Sequence, residues 1–77
     1  MVRILLADDD RATRDVIARA LEADGHHVMQ SLDGQEALDR LTANPGGIDL
    51  LISDVEMPGL DGVALAERAI AAEPRIK

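Results

Sequence analysis

The chain has 77 residues, a net charge of −7, and neither an aromatic residue nor a cysteine. That length allows one domain with a thin aliphatic core, because so short a chain hides only about 60% of its unfolded surface. The acidic balance argues against nucleic acid as a direct partner, the missing thiols exclude disulfides and thiolate zinc sites, and no apolar run reaches the length of a membrane span.

The chain opens Met1-Val2-Arg3 and passes directly into a strand pattern, which is no signal peptide, so a soluble cytoplasmic protein is expected. Val2 to Ala7 is a short apolar run ending in Asp8-Asp9-Asp10, the pattern of a strand buried on both faces. From Arg11 to Asp24 the positions Ala12, Val16, Ile17, Ala20 and Leu21 mark one helix face. Arg11, Arg14 and Arg19 then fall on a solvated face. Asp10 suits the N-cap and Gly25 the stop. His26 and His27 are adjacent on an extended segment and point to opposite sides, so they cannot easily share one ion.

Val28 to Leu32 predicts a second strand with polar residues interleaved, as at a sheet edge. Asp33-Gly34-Gln35-Glu36 opens a second helix with the spacing of a capping box, and Ala37, Leu38 and Leu41 form its inner stripe. Asn44-Pro45-Gly46-Gly47 is a loop. Ile48 to Ser53 is the third strand, and Asp54 follows it. Asp61 caps a third helix, where Leu60 can staple onto Leu65 and Val63, Ala66, Ala69 and Ile70 form the inner face. Pro74 ends it, since the residue before a proline is pushed out of helical geometry. Arg75-Ile76-Lys77 leads toward a fourth strand.

The order βαβαβα with short loops predicts a parallel sheet flanked by helices. Two buried strands that end in acids bring Asp8, Asp9 and Asp54 to the carboxyl edge of one sheet, where open α/β folds bind ligands. Converging carboxylates repel unless a cation lies among them. A hard divalent ion, Mg²⁺, suits oxygen donors and leaves positions for a phosphate oxygen. Such a site is suited to phosphoryl transfer onto a carboxylate. Asp10 and Asp61 read more simply as helix caps.

The strings Ile4-Leu5-Leu6-Ala7-Asp8-Asp9-Asp10 and Leu51-Ile52-Ser53-Asp54-Val55-Glu56-Met57-Pro58-Gly59-Leu60-Asp61-Gly62, with their separation, resemble the receiver domain of two-component response regulators. The third helix is similar to that of stand-alone receivers of the CpdR-like type. The resemblance implies a flavodoxin-like (CheY-like) doubly wound parallel α/β sheet, here truncated to strand order 2-1-3. It implies that Asp54 accepts a phosphoryl group from a phosphohistidine on a sensor histidine kinase or histidine phosphotransfer protein. Asp8, Asp9, Asp54 and the main-chain carbonyl of Glu56 would hold Mg²⁺. The first helix often contacts the kinase in the family.

The family has five strands in order 2-1-3-4-5, and reads the phosphate with a Ser or Thr after the fourth and a Lys after the fifth. Residues 1–77 hold only three strands, so the domain is expected to be incomplete, and Lys77 precedes the fourth strand and cannot take the site-lysine role. The third strand becomes an apolar edge open to pairing with another chain, a route to a homodimer. The expected role is a signalling module that assists its own phosphorylation, rather than an enzyme. A receiver fragment without switching activity is the first alternative. The second is an aspartyl-phosphate phosphatase, favoured only by the Asp-x-Asp spacing within Asp8-Asp9-Asp10.

Overall fold

Each apolar run of the sequence ends at an acid or a turn, and the elements of the computed structural model, which describes residues 1–77, follow that punctuation. They are β1 (Arg3–Ala7), α1 (Arg11–Ala23), β2 (His27–Ser31), α2 (Gly34–Ala43), β3 (Leu50–Ser53) and α3 (Gly62–Ala72). The strands form one parallel sheet in the order β2-β1-β3. Leu5 stands between Met29 and Leu51, and Leu6 between Gln30 and Ile52. The central strand is covered on both faces, which is why Ile4-Leu5-Leu6-Ala7 reads as a continuous apolar run.

Alternation along β1 divides the molecule into two layers. Leu5 and Ala7 join Ala37 and Leu41 of α2, Leu65 and Ala69 of α3, and Ile48 and Met57 from the loops in one core. Ile4 and Leu6 face the other way, toward α1, which packs on β1 and β2. Main-chain hydrogen bonds from Gly25 to the Glu22 carbonyl and from His26 to the Leu21 carbonyl close α1. Gly25 has φ of 87° there, a left-handed conformation that glycine adopts without strain. His26 is structural, its Nδ1 accepting the Val2 N–H.

Two helix faces differ from the sequence expectation. In α1 the buried residues are Arg14 and Ala18, with Ile17 and Leu21 half-buried, whereas Ala12, Val16 and Ala20 are exposed. The helix is turned because Arg14 finds hydrogen-bond acceptors beside the sheet and Ala18 permits close approach. In α3, Leu65 and Ala69 are buried but Val63 and Ile70 are exposed. That helix packs on α2, and its Val63–Ile70 side instead lines a groove with Leu51 and Val55 at the outer edge of β3.

The beginning of that edge is occupied by the chain itself. Lys77 N–H donates to the Asp49 carbonyl, and Leu51 N–H donates to the Lys77 carbonyl. This is the pattern of a strand running parallel to β3, as the lead-in Arg75-Ile76-Lys77 suggested.

Candidate functional site

The pairing of β1 with β3 sets Ala7 opposite Ser53, so the acids that follow each strand emerge side by side. Asp54 N–H donates to the Ala7 carbonyl at 3.0 Å, and Asp8 N–H donates to the Ser31 carbonyl of β2 at 3.2 Å. Asp8 and Asp54 therefore lie on the last rungs of the sheet. Carboxylate oxygens of Asp8, Asp9 and Asp54 all lie within 4.8 Å of one another. Asp8 is buried, while Asp9 and Asp54 are exposed at the mouth.

Local hydrogen bonds fix the surroundings. Asp8 Oδ1 accepts the Asp10 N–H at 2.9 Å. Asp10 occupies the N-cap position of α1, yet its carboxylate accepts the Thr13 hydroxyl and makes no side-chain cap bond. That hydroxyl is the main reason the Asp10 carboxyl lies below its ordinary pKa. Asp61 does act as a cap, accepting the Ala64 N–H at 2.8 Å. The loop after Asp54 is pinned at Met57, which is buried in the core, and closed where Gly62 N–H donates to the Val55 carbonyl. A side chain at Gly62 would collide with the Asp54 carbonyl, so glycine lets the start of α3 press against the end of β3.

An open cavity of about 510 Å³ lies beside the acids, lined by Asp9, Val55, Glu56, Met57, Pro58 and Asp61. A larger one of about 590 Å³ lies at the opposite end of the strands, between Val2, Asp49 and Ile76, away from the acidic cluster. The smaller cavity is the relevant one because it adjoins the oxygen donors. Three carboxylates form a donor set suited to a hard divalent cation, and they fit Mg²⁺ in a site that leaves room for water or phosphate.

The structure brings together Asp8, Asp9 and Asp54, as the sequence predicted, and sets Glu56 on the wall of the adjoining cavity. It leaves His26 and His27 outside the cluster. The residue missed by sequence reasoning is Arg14. Its side chain was expected in solvent, but it is 6% exposed and donates from Nη1 to the Asp8 carbonyl at 2.9 Å and from Nε to Gln30 Oε1 at 3.1 Å. The available signal was its spacing from Ala18 and Leu21, one turn apart along a single stripe.

Known proteins resemble this chain in sequence and fold. The response regulator receiver domain family matches residues 4–77. The response regulator receiver protein CpdR of Brucella abortus (strain 2308) is 43% identical over 77 residues, covering all of this chain and 62% of its own length. The receiver domain of the hybrid histidine kinase CckA superposes with a TM-score of 0.83 at 52% identity, over 87% of this chain and 62% of its own. The Thermotoga maritima response regulator TrrA, solved in complex with Mg²⁺–BeF, gives a TM-score of 0.92 at 31% identity over the whole of this chain and 65% of its own. The same protein has been solved in complex with the histidine kinase ThkA. The chain thus spans about three-fifths of the length of these relatives.

Proposed function

Because the chain belongs to the response regulator receiver family, we propose that it is a phosphoacceptor module in which Asp54 receives a phosphoryl group from a phosphohistidine donor. Asp8, Asp9, Asp54 and the main-chain carbonyl of Glu56 would hold Mg²⁺. The observation that carries this reading is the meeting of three carboxylates within 4.8 Å at the carboxyl edge of the sheet. Asp54 is read as the acceptor from the family resemblance of the string around it, and its exposure at the mouth of the site is compatible with that role.

In the transfer, an Asp54 carboxylate oxygen forms a bond to phosphorus while the phosphorus–nitrogen bond of the donor imidazole breaks. The departing ring nitrogen keeps the electron pair and takes up a proton from solvent. Mg²⁺ would supply neutralisation of the phosphoryl oxygens, whose approach to three carboxylates is otherwise repulsive. Asp8, held by main-chain bonds, keeps its place while the exposed groups receive the donor. The acyl phosphate adds nearly two negative charges at the loop between β3 and α3.

A sensor histidine kinase or histidine phosphotransfer protein is the partner class, and the TrrA–ThkA complex supports it. Such a partner would meet the module in the cytoplasm. The module signals and does not turn over an external substrate. Residues 1–77 are read as the β2-β1-β3 part of a five-stranded receiver, a reading supported by the pairing of Lys77 with β3. For the 77-residue chain by itself, where no further strand covers the rest of that edge, pairing of two copies along it is the proposed homodimer contact.

The test is incubation with acetyl phosphate and MgCl₂, followed by intact-mass spectrometry. One added phosphoryl group is expected on the parent chain and none on Asp54→Asn. Uptake by the variant equal to that of the parent would overturn the assignment of Asp54.

A further inference from the structure

Arg14 is a positively charged side chain taken out of water with no carboxylate in ion-pair contact, although the Asp10 carboxylate attracts it from farther off. It is 6% exposed, and no ion pair includes it. Such a charge is costly to bury, so its contacts must hold it in place. Those contacts are two neutral oxygens, the main-chain carbonyl of Asp8 and the side-chain carbonyl of Gln30 on β2. A guanidinium offers planar, rigid donors, which fix the orientation of what they touch better than an ammonium would.

The Asp8 carbonyl belongs to the peptide unit that joins Asp8 to Asp9. Fixing the plane of that unit constrains the direction in which both side chains leave the backbone. The other side of Asp8 is tied to β2 through its N–H and the Ser31 carbonyl. Asp8 is therefore gripped from α1 and from β2 at once, and the same Arg14 is itself anchored to β2 by Gln30.

We infer that Arg14, anchored by Gln30, is a positioning residue that aims the Asp8 and Asp9 carboxylates at the cation. This inference rests on the metal reading given above. It makes a prediction of unusual sign. Considered only as a charge, Arg14 opposes a cation among the acids, so removing it would tighten Mg²⁺ binding. Considered as the clamp on the Asp8–Asp9 peptide, removing it weakens binding, as loss of a group orienting metal ligands commonly does, by about tenfold or more.

The experiment is Mg²⁺ titration by calorimetry on the 77-residue chain and on Arg14→Met and Arg14→Lys, each at a temperature where far-UV circular dichroism shows it folded. Arg14→Met is expected to bind Mg²⁺ about tenfold more weakly, with Arg14→Lys between it and the parent. Equal or tighter binding by folded Arg14→Met overturns the inference and leaves the metal site standing. If Arg14→Met does not fold, Gln30→Ala decides. It keeps the charge and releases the anchor, so weaker binding supports the clamp and unchanged binding overturns it. Absence of Mg²⁺ binding by the parent chain overturns the metal reading and this inference together.

Discussion

Two serines close the strands beside the site, and they are treated differently. Ser53 Oγ donates to the Asp54 carbonyl at 2.8 Å. Ser31 is 1% exposed, and its Oγ is the buried side-chain oxygen without a partner. An unsatisfied buried hydroxyl costs about 1–3 kcal/mol, whereas its methyl remnant costs nothing in solvation. Ser31→Ala is therefore expected to stabilise the fold by about 1 kcal/mol. The main-chain carbonyl that receives the Asp8 N–H is untouched by this change. Urea unfolding would show a higher midpoint at unchanged slope, and a lower midpoint would count against the argument.

At the scale of elements, Arg3 and Asp49 tie the start of β1 to the entry of β3. The guanidinium makes two bonds to the carboxylate, and Arg3 N–H adds a third. Hydrogen bonding to Arg3 holds the Asp49 carboxyl down at about 2, against about 4 for an unperturbed aspartate. The folded form thus releases this proton more readily than the unfolded form. The stabilisation is fully present above about pH 4 and is lost as pH falls from there through 2. Comparing the pH dependence of unfolding for the parent and Asp49→Asn should show a gap that closes over that window. The gap is modest because both side chains are nearly half exposed. A gap that persists unchanged to pH 2 would exclude this titration as its source.

Elements also show which features were legible in the sequence. Asp33 and Asp61 cap their helices as read, accepting the Glu36 and Ala64 N–H groups, because capping is decided within a few residues. Glu36 reaches back too, though to the Leu32 N–H. The meeting of Asp8 with Asp54 was legible because both follow recognisable strands. The rotation of α1 and α3 was not. Val16 is 68% exposed while Arg14 is buried, because tertiary hydrogen bonds outweighed the apolar pattern. Val63 and Ile70 turn toward the edge of β3, an orientation set by the packing of α3 on α2 rather than by periodicity.

At the scale of the whole molecule, the proposed Mg²⁺ site would couple cation binding to folding, since the three carboxylates meet only when β1 and β3 pair. With free Mg²⁺ at ten times its dissociation constant, the folded state gains about 1.4 kcal/mol. For a domain of this size that corresponds to roughly 5–10 °C in the thermal midpoint. The rise should appear with MgCl₂, vanish with a chelator, and be absent in Asp9→Asn; the same midpoint with and without Mg²⁺ would rule out linkage. The main-chain bonds beneath the site carry a consequence for time. Asp8 and Asp54 are held by the end rungs of the sheet, through the Ser31 and Ala7 carbonyls, so their amides lose protection from solvent exchange when the strand ends part. On either side of the buried anchor Met57, the exposed residues of the loop between Val55 and Gly62 can shift without that event. The two parts of the site thus keep different time: a ligand held there as proposed would exchange with the shifting of the exposed loop residues, while the carboxylates beneath stay in register as long as the strand ends stay paired.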